Sequence, residues 1–292
     1  MNYQSLIAQA GVGLAYQVFG NELPDQVSGN LSFAEEREVF KASGDHSEKE
    51  VILGRMAEKA TNFKQLRAVL GESPGYPEVR EKVFSKLMRR DLKFGHLERI
   101  SKMLMLSEDE ERKLSVLVEM FRKASSIPQL LKTYNCTFEF RELRVEVLQR
   151  AVAEATSFEE YLLLIPVVQN GPRPEFEELL GVLLEKLGSC ALSFGQWFMV
   201  VEASLNAFSI FTEEGMKQMR GKTPSLDELL VVMRSPHSHL GVDKLLGQKI
   251  SECNFTIPEL SAIYRASNRR YHEVDNVVIQ KIRALAGKSP SS

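Results

Sequence analysis

A large apolar residue recurs along this chain at nearly constant intervals, and this period constrains the fold more than any other feature. Eight such residues, called anchors here, are separated by 30, 31, 33, 31, 36, 32 and 31 positions. The anchors are Phe33, Phe63, Phe94, Ile127, Phe158, Phe194, Leu226 and Ile257. A period of this length is typical of helical repeats, in which each unit buries its apolar face against its neighbours.

The residues around each anchor predict a helix that begins there. In seven of the eight units a residue that can cap a helix N-terminus precedes the anchor, and Glu or Gln lies three residues after that cap. This combination is the pattern of a capping box. Only the unit with Lys93 and His96 departs from both rules. Apolar residues at helical spacing follow the anchors and indicate that each helix has one buried face. The first unit departs from this pattern, because Glu36 stands where the other units have an apolar residue.

A second helix is predicted upstream of each anchor, because apolar residues also recur seven and ten positions before most anchors. We therefore predict an all-α fold, a right-handed α-solenoid of about eight helix-turn-helix repeats of 30–36 residues. Residues 1–30 are predicted to form an N-terminal capping helix region. The repeat array is predicted to span 31–286, with a disordered tail at 287–292.

The length and helix-turn-helix character of these units resemble tetratricopeptide and HEAT-like repeats, although the Trp, Leu-Gly and Tyr offsets of the tetratricopeptide pattern are not supplied. Units such as 156–160 and 255–259 also resemble the repeats of TAL-effector-like DNA-binding proteins, without their glycine-rich base-reading loop. The resemblance covers nearly the whole chain. It implies an elongated binding array and names no partner.

Charge and composition favour some classes of partner over others. The formal net charge is −2, so the chain lacks the basic surplus typical of proteins that neutralise many phosphates. No apolar run approaches 18 residues, and we expect no membrane insertion. Three widely separated cysteines fit a reducing, cytoplasmic location. A protein or peptide partner is therefore expected in preference to nucleic acid.

The sequence offers no motif for chemistry. It contains no phosphate-binding loop, no G-x-S-x-G, no H-E-x-x-H and no dinucleotide-binding glycine pattern. His237 and His239 lie near Cys253 and His272 in sequence, but their spacing differs from that of zinc sites. We expect a protein that is not an enzyme, with no catalytic residue, no cofactor and no metal.

Two segments are candidates for contact with a partner. The segment 192–211 is the most apolar, and aromatic residues dominate binding hot spots, although residues at helical spacing also build cores. Its candidates are Trp197, Phe198, Phe208 and Phe211, of which the last two are predicted to lie at an exposed rim. The basic C-terminal end contributes Arg265, Arg269 and Arg270. The leading hypothesis is a non-catalytic protein- or peptide-binding scaffold, and the alternative is a nucleic-acid-binding helical repeat protein that uses the basic end.

Overall fold

A computed structural model of the chain describes residues 11–19, 31–105, 109–171, 175–204, 209–235 and 241–287. These residues form seventeen helices and no strand, which confirms the all-α prediction for this part of the chain. The helices are α1 Val12–Phe19, α2 Phe33–Ala42, α3 His46–Lys59, α4 Phe63–Glu72, α5 Pro77–Met88, α6 Phe94–Leu104, α7 Glu110–Lys123, α8 Ile127–Cys136, α9 Arg141–Glu154, α10 Phe158–Gln169, α11 Glu175–Ser189, α12 Phe194–Ala203, α13 Ile210–Arg220, α14 Leu226–Arg234, α15 Val242–Glu252, α16 Ile257–Ser267 and α17 His272–Ala286.

Each anchor is the first residue of an even-numbered helix, from Phe33 in α2 to Ile257 in α16. The start is fixed by the cap that precedes the anchor. In α10, α12 and α14 the cap serine accepts the N–H of the third residue after it, whose side chain accepts the N–H of the serine in return. A capping box satisfies two backbone donors that the helix itself leaves unpaired.

The cap pattern differs from expectation at Ser126, which makes no cap hydrogen bond. Gln129 accepts the N–H of Ser125, at 2.9 Å. The Lys93 unit lacks a cap, as its sequence predicts, but His96 has another role. Its ring stacks on Phe63, with the centroids 4.1 Å apart, and so connects α6 with α4.

The contacts divide the chain into two units, residues 1–140 and 141–292. In the first unit α4 packs against α6 and α6 against α8, so these even-numbered helices lie side by side. In the second unit α10, α12, α14 and α16 pack in the same succession. The odd-numbered helices pack beside their chain neighbours, as α5 does on α4 and α13 on α12.

Lysine side chains join several odd-numbered helices in pairs. Each lysine donates to backbone carbonyls at the C-terminal end of the preceding odd-numbered helix, where the helix leaves carbonyls unpaired and the dipole favours a cation. Lys86 of α5 reaches the end of α3, Lys186 of α11 the end of α9, and Lys281 of α17 the end of α15. We call this contact the lysine clamp. The helices that it joins, α3 with α5, α9 with α11 and α15 with α17, also pack against each other.

Glu36, the residue at which the first unit departs from the apolar pattern, is fully buried. Its carboxylate accepts from Arg55 Nε and from Lys59 Nζ, each at 2.9 Å. Both cations lie on α3, so the departure from the pattern is explained by an ion cluster between α2 and α3. A buried carboxylate is tolerated only when it is paired in this way.

Glu228 connects two even-numbered helices. Its carboxylate accepts the N–H of Ser225, the cap of its own helix α14, at 2.9 Å. The same carboxylate accepts the N–H of Gly195 in the first turn of α12, at 3.0 Å. Burial would raise the pKa of Glu228, but the hydrogen bonds from Gly195, Ser193 and Ser225 outweigh it and lower the pKa to about 2.

Candidate binding surfaces

The aromatic residues of segment 192–211 lie in the core. Trp197, Phe198 and Phe211 are only 2%, 1% and 0% exposed, so their side chains are not available to a partner at the surface. The prediction that Phe211 lies at an exposed rim is wrong, because this residue belongs to α13, which packs against α12. Phe208 lies outside the residues that the structure describes.

The basic C-terminal end is exposed but partly occupied by local hydrogen bonds. Arg265 donates from Nε to the carbonyl of Ser261 at 3.2 Å, and Arg270 donates from Nη1 to the carbonyl of Ser235 at 3.2 Å. Arg269 is exposed, with its backbone in the left-handed region at φ 61°. Arg265 and Arg270 therefore each hold one guanidinium N–H on a backbone carbonyl of the chain itself.

The structure does not test the histidine pair, since His237 and His239 lie outside the described residues. Within the residues that it does describe, no group of three or more His, Cys, Asp and Glu side chains could hold a metal ion. None of the helices in that part of the chain is long and apolar enough to cross a membrane.

The first unit has a positively charged open groove of about 880 Å³ on the face formed by α2, α4 and α6. Its apolar floor includes Ala68, Gly71 and Met103. Five cationic side chains surround this floor and define what we call the basic groove; they are Arg37, Lys64, Arg67, Arg99 and Lys102.

Three of these five cations have no ion pair among the described residues. Arg37 is paired with Glu72, with 2.6 Å between Nη2 and Oε1, and Lys102 with Glu98 at 2.9 Å. The hydrogen bond from Lys102 is the main reason that the pKa of Glu98 is lowered. The positive charges of Lys64, Arg67 and Arg99 remain without a carboxylate partner in the described part of the unit.

The positions of these cations follow from the repeat. The fifth residue after an anchor is exposed or partly exposed in every even-numbered helix, because the third and the sixth or seventh residues point into the core. The fourth residue is partly exposed in all of these helices except α12, where it is the buried Phe198. Arg37 and Arg67 occupy the fourth position, and Arg99 and Lys132 the fifth. Sequence reasoning missed the groove because it searched for runs of basic residues, whereas these cations are about one repeat apart.

The same helical position has a different chemistry in the second unit. Leu163, Met199 and Val231 are each the fifth residue after an anchor, and they are 47%, 42% and 60% exposed. Their helices α10, α12 and α14 pack in succession, so the three side chains form an exposed apolar row. Exposed apolar residues in a series mark contact surfaces more often than isolated ones do.

Comparison of the chain with family models, with curated proteins and with solved structures gives no match. The function is therefore inferred from the chemistry of these surfaces.

Proposed function

We propose that this chain is a non-catalytic binding protein whose basic groove holds an acidic segment of a partner protein. The observation that carries the proposal is the set of unpaired cations Lys64, Arg67 and Arg99 around an open, partly apolar groove of about 880 Å³. This volume lies within the range of about 300–1,000 Å³ that is common for binding sites. Three unpaired positive charges favour a ligand that brings carboxylates to them.

We further propose that the hairpins form a right-handed α-solenoid of about eight repeats, in the cytoplasm, and that the even-numbered helices provide its binding face. The anchor spacing and the side-by-side packing of α4, α6 and α8, and of α10, α12, α14 and α16, support the repeat. The three free cysteines are consistent with a reducing compartment.

Protein is favoured over nucleic acid for two reasons. Glu72 and Glu98 lie at the basic groove and would repel a continuous phosphate backbone, whereas a peptide can place its few carboxylates beside the unpaired cations. The apolar floor matches apolar side chains of a peptide. Phe33 is the one aromatic side chain among the lining residues, so the groove lacks the succession of aromatic rings on which bases stack in single-stranded complexes. The C-terminal end, with Arg265, Arg269 and Arg270, is the weaker site because two of these arginines already bond backbone carbonyls.

Fluorescence anisotropy with the full chain tests this proposal. The probes are a labelled amphipathic peptide of Glu and Leu, its Lys and Leu counterpart, and a single-stranded oligonucleotide of thymidine. We expect the acidic peptide to bind, and the double variant Arg67→Glu with Arg99→Glu to weaken its binding about tenfold or more, because each lost charge contact contributes on the order of 1 kcal/mol.

The matched control is Arg89→Glu with Arg90→Glu, which makes the same change of charge at two exposed residues in the first unit that do not line the groove. The control should bind the acidic peptide as the unmodified chain does. If both double variants weaken the binding of the acidic peptide equally, the effect is one of overall charge and the peptide does not bind in the groove. If the oligonucleotide binds more tightly than the acidic peptide, and the Arg67 and Arg99 double variant loses that binding, the groove is a nucleic-acid site and the proposal of a protein partner fails.

A further inference from the structure

A second groove lies in the second unit, between α11 and α13. It consists of two adjoining cavities of about 550 and 380 Å³, which share Ile210 and Glu213. Elsewhere in this unit the odd-numbered helices α9 and α11, and α15 and α17, pack directly against each other. The groove lies where two consecutive odd-numbered helices, α11 and α13, pack less closely than these pairs do.

No lysine clamp joins α13 to α11. Lys186 of α11 lies eight positions before the anchor Phe194 and holds α11 against the end of α9. Eight positions before the anchor Leu226, the residue is Gln218, which donates to Glu214 of its own helix at 2.7 Å. Helix α13 thus has no cation at this position that reaches back to α11.

A glycine meanwhile holds α13 against α12. A Cβ atom on Gly215 would lie 2.6 Å from Cγ2 of Val201 and 3.4 Å from the carbonyl oxygen of Trp197, so only glycine allows this close approach. The contact positions α13 by its even-numbered neighbour. The space beside α11 is consequently left open.

The groove between α11 and α13 has an apolar floor and an acidic rim. Leu180 and Leu184 are partly exposed in it, and Ile210 is 50% exposed. The space above Gly181 and Gly188 is open, since a Cβ atom at either position would meet no atom within 4 Å. These two glycines are seven residues apart, on one face of α11, and would let another backbone approach closely.

The charged groups around this floor are mostly carboxylates, and the one cation among the lining residues, Lys217, is paired with Glu214. The remaining polar groups are suited to hydrogen-bond donors and cations. Glu185 and Glu213 are exposed at the rim and have no ion pair among the described residues. At one end of the groove, Oε1 of Gln169 is buried and has no hydrogen-bond partner within the same residues. An unpaired buried acceptor is costly, and a donor from a ligand would relieve that cost.

We propose that this groove, which we call the acidic groove, binds a basic amphipathic helix of a partner protein. The apolar face of that helix packs on Leu180, Leu184 and Ile210, in the manner of helix-in-groove recognition. Its Lys or Arg side chains pair with Glu185 and Glu213, and one of them donates to Gln169. This site lies in the other unit from the basic groove and accepts ligands of opposite charge, so either proposal can fail without the other.

The test uses the full chain and a labelled amphipathic peptide of Lys and Leu, 15 residues long to match α11. Anisotropy should show saturable binding of this peptide, and the substitution Gly181→Leu should leave the binding of the Glu and Leu counterpart unchanged. The same substitution should weaken the binding of the Lys and Leu peptide about tenfold or more, because it fills the floor where a hot-spot contact is expected. The thermal stability of the Gly181→Leu variant should be unchanged or raised, since leucine favours a helix more than glycine does.

Two matched controls accompany this variant. Gly54→Leu fills an equally open position on α3 in the first unit and should leave binding unchanged. Glu213→Lys should weaken binding, whereas Glu146→Lys, at an exposed residue of α9 away from the groove, should not. Absence of saturable binding, or full affinity in Gly181→Leu, would overturn the proposal. A dimer of the unmodified chain in sedimentation velocity that becomes a monomer in Gly181→Leu would also overturn the proposal. The occupant of the groove would then be a second copy of this chain.

Discussion

At the scale of single residues, Glu36 shows how one exception to a pattern can stabilise a fold. It takes the place of an apolar residue, and the cations Arg55 and Lys59 compensate its burial. Glu36→Gln should lower the free energy of unfolding by about 3 kcal/mol, since it leaves two cations facing a neutral group. Urea unfolding measures the change, with the exposed Glu38→Gln on the same helix as control. A loss for Glu36→Gln no larger than the control's would contradict the role of the ion cluster.

Glu228 gives a residue-scale prediction with a pH dependence. Its pKa is about 2 in the folded chain, below the ordinary value of 4.5, so its stabilising effect is complete above about pH 4.5 and is lost as the pH falls through about 2. Because the side chain is partly exposed, we expect Glu228→Gln to cost only about 1–2 kcal/mol at pH 7. The cost should shrink between pH 5 and pH 2.

Unfolding of the two proteins at a series of pH values measures this difference. Asp227→Asn, an exposed change in the same turn, is the control and should show no such trend. A cost for Glu228→Gln that stays constant down to pH 2 would show that the carboxylate does not join α12 to α14 through its charge.

At the scale of helices, the lysine clamp accompanies the packing of three pairs of odd-numbered helices, α3 with α5, α9 with α11 and α15 with α17. Lys186 donates to the carbonyls of Val152, Ala153 and Ala155 at 2.8, 2.8 and 2.9 Å. Lys186→Met should cost about 1.5–3 kcal/mol, because it removes charge-assisted hydrogen bonds from the end of α9.

The control for this prediction is Lys217→Met on α13, an exposed lysine whose one ion pair is with Glu214. Surface changes of this kind cost about 0.5 kcal/mol or less. Thermal and urea unfolding compare the two variants. If Lys186→Met unfolds like the control, the clamp does not stabilise the pair α9 and α11.

The sequence predicts the helices much better than it predicts their surfaces. Each anchor begins a helix because the cap and the apolar stripe are local features, readable over about one turn or two. Phe211 is predicted at an exposed rim but is buried, because burial depends on the packing between helices, which the sequence pattern alone does not show. The clamp and the basic groove depend on residues about one repeat apart, which become neighbours only when the hairpins are aligned.

At the scale of the whole molecule, repetition of one hairpin creates equivalent positions whose side chains differ. The fifth residue after an anchor is Glu38, Ala68, Arg99 or Lys132 in the first unit and Leu163, Met199, Val231 or Ala262 in the second. The core position three residues after an anchor is apolar in every unit except the first, where it is Glu36, so the fold is retained while the exposed positions vary. This separation supports the proposal of a binding protein in which each unit has its own ligand chemistry.

Methyl NMR of the full chain tests the central claim most directly, because the chain has ten methionines and one of them, Met103, lines the basic groove. With ¹³C-methyl methionine, and with Met103 assigned from Met103→Leu, the acidic peptide should shift the Met103 signal until saturation. It should leave unchanged the signal of Met199, which lies exposed in the second unit. A Met103 signal that stays constant while the peptide binds, or a saturable shift at Met199 instead, would contradict binding in the basic groove.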